Sequence, residues 1–414
     1  MYFGIESVRK KMNPSKNSLF NAYGIEAEYM IVDKDNLNIS PSAHILLTDT
    51  EGFIHNEITK TKTAWSNELA SHLIEIKTNG PVQELDSVSQ IFHEDIIEIN
   101  NLLSKDNLML MPTAMHPWMN PDKEFVIWSH ENQEIYNAYN LIFNCKGHGW
   151  SNLQSVHINL GFQGEEEFIK LHSAIRILLP LIPCLSASSP IYEGKLSHYL
   201  DTRLHFYFSN QQKIPEIAGQ IIPEVVLSKK DYFKIILNPM YKAISRFDSD
   251  QLLQDEWLNS RGAIARFDRS AIEIRLMDTQ ECPLADLSLV KIFDKLLKYL
   301  VENRSIEEMN RLTEKELLSI LEVTIINGTK TFIDNSKFLK LFGISSNGTS
   351  VLNIFIDNPI FNSFDNNMIS ILRNYGNLSE RILTTNPLSN STNLKNTYKN
   401  LCGSLHKNEF FIPV

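Results

Sequence analysis

Cysteine is scarce in this chain. Four of its 414 residues are cysteines, Cys145, Cys184, Cys282 and Cys402, and they stand far apart, with no CxxC pair and no zinc-type spacing. That argues against a disulfide-stapled secreted fold and for a reduced, cytoplasmic protein. Positive charge is also in deficit, with 39 Lys and Arg against 49 Asp and Glu for a formal charge of −10. No long block of one sign occurs, so the chain repels phosphate backbones and anionic lipid. Neither nucleic acid nor a membrane surface is an expected partner. The most apolar stretch, Ile175 to Ile191, is interrupted by Pro180, Pro183 and a Ser-Ala-Ser-Ser run. It is too short to span a bilayer and reads as a buried helix ending in a loop. The opening MYFGIESVRKKMNPSKN lacks the continuous apolar core of a signal peptide. Also missing are a GxxxxGK[ST] loop, a GxGxxG after a strand, HExxH and GxSxG. Any nucleotide must therefore be held by metal ions and side chains on a sheet.

What is present is a set of segments in which apolar residues alternate with small or functional ones, the two-residue period of a half-buried strand. In Tyr23–Ile31, the residues Tyr23, Ile25, Ala27, Tyr29 and Ile31 take one face while Gly24, Glu26, Glu28 and Met30 take the other. In Ser155–Phe162, Val156, Ile158, Leu160 and Phe162 oppose Ser155, His157, Asn159 and Gly161. In Ala271–Asp278, Ile272, Ile274 and Leu276 oppose Glu273, Arg275 and Met277, and in His72–Thr78, Ile74 and Ile76 oppose Glu75. Each strand has a greasy back and a chemically armed front.

Helical spacing follows between the strands. Val88, Ile91, Phe92, Ile96, Ile99 and Leu103 recur near a 3.6-residue period after an expected cap at Asp86, and Leu284–Val301 has the same form. Helices covering the apolar back of a sheet give a mixed α+β body with the armed face open. Residues 1–303 read as one catalytic domain. Residues 304–414 read as a mostly helical C-terminal segment, packed on it, with helices over Leu312–Val323 and Met368–Leu383 and a polar Asn/Ser/Thr-rich stretch over Thr384–Thr397, a surface loop or a flap.

Glu26 and Glu28 lie two apart on a strand, so both carboxylates leave the same face roughly 7 Å apart, a spacing that can hold two hard cations or belong to a solvated polar face. Glu68 precedes Glu75 by seven residues. Glu75 sits between Ile74 and Ile76, where an ionised carboxylate needs a cation, an arginine or an open cleft. His157 reads as a ligand or as a hydrogen-bonded core histidine. Glu273 and Arg275 read as site residues or as an internal salt bridge. Taken together, Glu26, Glu28, Glu75, His157, Glu273 and Arg275 make an oxygen-rich face suited to magnesium or manganese. The added arginine points to phosphate, which guanidinium groups bind through paired hydrogen bonds.

These residues fall in motifs that resemble the glutamate–cysteine ligases of the second bacterial and plant type and the carboxylate–amine ligases similar to them. The motifs are GIEAEY (Gly24–Tyr29), ELASHLIEIKT (Glu68–Thr78), MPTAMHPW (Met111–Trp118), SVHINLGF (Ser155–Phe162), LSASSPIYEG (Leu185–Gly194) and RFDRSAIEIRLMD (Arg266–Asp278). They run in the family's order over roughly residues 20 to 280.

The resemblance implies a glutamine synthetase-like fold, an antiparallel sheet curled into a funnel with helices on its outer face. It implies Glu26, Glu28, Glu68, Glu75, His157 and Glu273 as ligands for Mg2+ or Mn2+, and Arg275, Arg266 and Arg203 as contacts to phosphate or substrate carboxylate, with Arg275 and Arg266 catalytic. Asn159 and His116 are further substrate contacts on the same basis. The implied reaction activates the γ-carboxyl of glutamate, or of a similar amino acid, with ATP and joins it to a small amine such as cysteine, as in glutathione synthesis; the alternatives are the same chemistry with another amine acceptor, or a family member that binds nucleotide or amino acid without turnover. Two departures, Ala114-Met115 in place of a Gly-Thr pair and the His-Ile-Asn ending of the histidine strand, fall near the expected amine site and leave the acceptor open. A homodimer is among the expected assemblies.

Overall fold

The computed structural model describes residues 18–362, 364 and 367–413; the opening residues 1–17, read for a signal peptide above, lie outside them. An eight-stranded antiparallel sheet organises the chain. Its strands are β1 (Tyr23–Asp33), β2 (Glu57–Thr59), β3 (Thr63–Asn67), β4 (Leu73–Thr78), β5 (Leu108–Met111), β6 (Ser155–Gly161), and, after a small hairpin of β7 (Ile191–Tyr192) and β8 (Lys195–Leu196), β9 (Ala263–Arg266) and β10 (Ala271–Asp278). The order is β2-β3-β4-β1-β6-β10-β9, with β5 also on β1. At 11 residues β1 is long enough to serve three neighbours. Its first residues pair with β6, its middle with β4 and its end with β5.

The two faces of β1 enter different cores. Tyr23, Ile25, Ala27, Tyr29 and Ile31 join Val156, Ile158, Leu160, Ile272, Ile274 and Leu276 in the main core. Helices Val88–Leu103, Gly164–Leu178 and Pro283–Asn303 cover that face through Phe92, Ile96, Leu171, Ile175, Leu289 and Phe293. Each such side chain contributes about 1.5–3 kcal/mol when fully removed from water. The run Gly164–Ser186 is long and apolar enough to cross a membrane, and 89% of its 18-residue apolar window is buried inside this fold. On the other face, Met30 and Val32 join a second core with Leu378, Ile382, Leu394, Tyr398 and Leu401. On β1 the armed face thus carries Glu26 and Glu28 at one end, and the C-terminal helices cover Met30 and Val32 at the other.

Local chemistry moved several expected boundaries. The helix expected to be capped by Asp86 starts at Val88 after Ser87, and Asp86 instead pairs with Lys291 at 2.6 Å. The single helix expected over Met368–Leu383 is two, Asn367–Tyr375 and Leu378–Thr384. Gly376 sits at φ +80°, where a Cβ would also meet Glu380, and Asn377 opens the second helix with a capping box to Glu380. The polar stretch Thr384–Thr397 is not one loop. From Ser391 it forms the start of helix Ser391–Lys407, with the Asn390 side chain accepting from the Asn393 amide.

A buried ion pair fastens the C-terminal tail beside the end of β10. Arg381 Nη1 meets Glu281 Oε1 at 2.5 Å and donates to the Phe411 carbonyl at 2.6 Å, while the Phe411 amide donates to Glu281 at 3.1 Å. Both charged side chains are essentially inaccessible. Removing one partner strands the other charge in low dielectric. Arg381→Ala should therefore cost about 3–5 kcal/mol by chemical denaturation, and the double variant Arg381→Met/Glu281→Leu should cost clearly less than the sum of the single variants.

Candidate active site

The register of the sheet sets the functional side chains in rows. Glu57, Ser66, Glu75 and Glu28 lie opposite one another from β2 to β1. Lys77, Glu26 and His157 form the next row, and Asn159 pairs with both Gly24 and Glu273 in the next. Because a strand repeats every two residues, all of these face the same way. Gly24 makes room at the end of its row: a Cβ there would lie 3.1 Å from Asn159 Cβ.

His157 is the hub. Its Nδ1 lies 3.2 Å from Glu26 Oε2 and 3.8 Å from Glu273 Oε1, and its Nε2 lies 3.0 Å from Ser155 Oγ and 3.9 Å from Glu28 Oε1. Burial disfavours a charged ring, but the hydrogen bond to Glu26 and the charges of Glu28, Glu273 and Glu26 outweigh it and hold the imidazole pKa up at about 9. Burial likewise opposes ionisation of Glu26, yet the bond to His157 and the charges of His157, Lys77 and Arg269 keep its carboxyl well below the usual range. Asn159 Nδ2 donates to Glu26 Oε1 at 3.2 Å.

At the β10 end, Glu273 carries two guanidinium groups. Arg275 Nε donates to Oε1 at 2.6 Å and Arg266 Nη1 to Oε2 at 3.2 Å. Burial opposes its charge, but Arg275, His157 and Arg266 prevail and lower its pKa. The register of β10 against β6 shifts between Ile274 and Met277, so Arg275 sits in a bulge that re-aims its side chain. The Arg275 amide donates instead to Gly262 at 2.9 Å.

At the other end the acids are less well matched. Glu28 accepts from the Ser155 amide at 2.8 Å, yet burial and the charge of Glu75 leave its pKa raised. Glu75 accepts from Ser66 Oγ at 2.7 Å and meets Lys77 Nζ at 3.1 Å. Among the described residues, no donor or cation comes within bonding distance of the Glu68 carboxylate. Burial and the charges of Glu28 and Glu75 push its pKa well above the usual range. An acid in that state lacks a cation.

Ligand atoms of Glu26, His157 and Glu273 lie within 4.8 Å of one another, and so do those of Glu28, Glu75 and His157. Carboxylate oxygens with one imidazole fit a hard divalent cation, and the unmatched Glu28 and Glu68 are where positive charge is most wanted. Of the expected metal residues, Glu26, Glu28, Glu75, His157 and Glu273 are gathered on one face with Arg266 and Arg275 beside Glu273, whereas Glu68, between β3 and β4, belongs to neither cluster.

Two expected contacts sit differently. Arg203 is buried at the Asp278 end of the face, where Asp278 pairs with Ser155; its Nε meets Asp278 Oδ1 at 2.5 Å and its Nη1 donates to the Arg275 carbonyl at 3.4 Å, so it braces the arginine strand, and its Nη2 alone has no hydrogen-bond partner. His116 is not brought to the cluster. Its ring is fully buried, with Nε2 on the Leu37 carbonyl at 2.8 Å and Nδ1 accepting from the Trp118 amide at 3.3 Å. Sequence reasoning missed Lys77, although the alternation of β4 places it on the armed face two residues beyond Glu75.

The sequence profile described as glutamate-cysteine ligase family 2 matches residues 22–341. This chain belongs to that family. It is 37% identical over 284 residues to an uncharacterised protein of Archaeoglobus fulgidus, covering 69% of this chain and 76% of the relative. A putative glutamate–cysteine ligase 2-1 of Legionella pneumophila is 24% identical over 208 residues, 48% of this chain and 50% of that protein. Among solved structures, a glutamate–cysteine ligase of Francisella tularensis in complex with AMP superposes with a TM-score of 0.62 at 13% identity, covering 94% of this chain and 90% of the other. A bifunctional glutathione synthetase of Pasteurella multocida superposes at 0.54 and 13% identity, covering 94% of this chain and 52% of that one. At these identities the structures establish the fold: an antiparallel sheet with packed helices, as glutamate–cysteine ligase family 2 members are expected to have.

The His157 pairing gives a testable pH dependence. A pKa raised to about 9 in the folded chain, against about 6.5 unfolded, stabilises fully below about pH 6.5 and is lost as pH rises through about 9. In chelator-treated protein, the stability gap between wild type and His157→Gln should be at most about 3 kcal/mol near pH 6 and should shrink toward pH 10. Urea denaturation across that range measures it, and a gap that widens with pH would contradict the assignment.

Proposed function

We propose that this chain is a carboxylate–amine ligase that uses ATP and magnesium or manganese to activate the γ-carboxyl of glutamate, or of a close relative, and joins it to a small amine such as cysteine. The observation that carries the reading is the pair of ligand clusters sharing His157, with Arg266 and Arg275 beside them on one sheet face. Family membership supports it. The four cysteines, all free and buried, support a reducing, cytoplasmic setting.

Glu26, Glu28, Glu68, Glu75, His157 and Glu273 would hold the cations. Bound there, such cations supply charge neutralisation for phosphoryl oxygens. The substrate carboxylate oxygen attacks the γ-phosphorus of ATP, and the bond to the bridging oxygen breaks, releasing ADP and leaving an acyl phosphate. The amine nitrogen then attacks the acyl carbon, the phosphate departs, and the nitrogen loses a proton. Arg266 and Arg275, on the same face, would take the oxygens on which charge gathers in both steps. The partner-free Nη2 of Arg203 offers a donor for a second substrate carboxylate, which favours a dicarboxylic amino acid.

Hydroxylamine tests the reading because it traps an acyl phosphate whatever the natural amine is. Hydroxamate should form from glutamate with ATP and Mg2+, and excess EDTA should abolish it; hydroxamate from other acids but never from glutamate would overturn the choice of acid. Glu75→Gln and Glu273→Gln should each lower the rate at least about 100-fold with the fold retained by circular dichroism.

A further inference from the structure

Among the described residues, Lys77 is the one lysine or arginine that touches the poorly matched end of the acidic face, through Glu75. Its Nζ lies 3.1 Å from Glu75 Oε1, 2.9 Å from Glu57 Oε2 and 2.9 Å from Ser66 Oγ. Its Cα partner across the ladder is Glu26, and its side chain is about three-quarters buried, at 26% exposure. An ammonium in that position meets Glu75 at the oxygen that Ser66 also uses.

His157 makes this position matter. A neutral imidazole has one free lone pair, so it serves either the Glu26–Glu273 cluster through Nδ1 or the Glu28–Glu75 cluster through Nε2. The first cluster already carries Arg266 and Arg275 on Glu273. Among the described residues, the second has Lys77 alone, on Glu75, while Glu28 meets His157 at 3.9 Å and Glu68 has no ion-pair partner. Whether a cation settles at the second cluster then depends on how firmly the ammonium keeps Glu75.

Building on the ligase reading, we propose that Lys77 is a resident cation of the site, competing with a divalent ion for Glu75 and setting the affinity of the Glu28–Glu75–His157 cluster. Glu57, on the edge strand, is the counterweight. It draws the ammonium outward, so the two residues act on the cluster in opposite directions. The ammonium remains charged throughout, and the competition is one of position, with no proton gained or lost by Lys77.

Manganese binding to the purified full chain without nucleotide tests this, followed by the loss of free-ion electron paramagnetic resonance signal on titration. Lys77→Met should bind Mn2+ at least about tenfold more tightly than wild type or take up an additional ion, Lys77→Arg should match wild type, and Glu57→Gln should bind several-fold more weakly. Unchanged or weaker binding by a folded Lys77→Met overturns the proposal. Should that variant fail to fold, Glu57→Gln decides, and wild-type affinity there overturns it. An absence of Mn2+ binding in wild type and every variant would instead overturn the metal reading on which the proposal rests, a result distinct from tight binding that ignores Lys77.

Discussion

Carboxylates crowded on one face of a sheet repel one another, and the surrounding structure is arranged around how that repulsion is met. Glu26 and Glu28 come from β1, Glu75 from its neighbour β4, Glu273 from β10 one strand further across β6, and Glu68 from the turn before β4. At separations of a few ångströms, like charges in a partly dry site cost several kcal/mol unless matched. The compensation is uneven. Glu273 holds two guanidiniums and Glu26 holds the protonated His157, whereas Glu28 and Glu68 are left with raised pKa values. A face of this kind is stable enough to fold and still short of positive charge.

The rigid frame behind it makes that imbalance sustainable. β1 is held by neighbours on both edges, and its apolar back is locked into the main core, so Glu26 and Glu28 cannot swing away from one another. At the far end, Met30 and Val32 lie under the C-terminal helices, whose tail is fastened to Glu281, three residues beyond β10. The segment after Asn303 thus closes one end of the same face that carries the acids, and the residues that look featureless in sequence fix how far the site extends.

How much of this was legible follows from which signals are local. Strand alternation is local, so the armed faces of Tyr23–Ile31, Ser155–Phe162 and Ala271–Asp278 could be read residue by residue, as could helix Val88–Leu103. Pairing is not local. That Glu28 stands opposite Glu75, and Glu26 opposite both His157 and Lys77, depends on register between strands far apart in the chain. Lys77 was therefore invisible as a site residue although its own alternation was clear. His116 shows the converse. The motif singles it out, while its partners, the Leu37 carbonyl and the Trp118 amide, lie in backbone that no pattern of side chains announces. Breaks such as Gly376-Asn377 were local but subtle, since a glycine and a capping box at Asn377 override an apolar period that runs on through them.

The charge arrangement also constrains how the proposed substrates could enter. Arg266 and Arg275 are occupied by Glu273, so a polyphosphate arriving alone would have to draw them away and leave that carboxylate buried beside Glu26 and His157. A divalent ion arriving alone at Glu26 and Glu273 would have to displace the same guanidiniums with no anion to receive them. Under the proposed function, joint arrival would make the exchange nearly neutral: the arginines would pass from Glu273 to phosphoryl oxygens, and the freed carboxylate would be available to the ion. On that reading the ion pairs of the resting face would be placeholders, each holding a charge in position until its partner comes, and the Glu273–Arg275 contact, the rival of a ligand role in the sequence, would be its preparatory state.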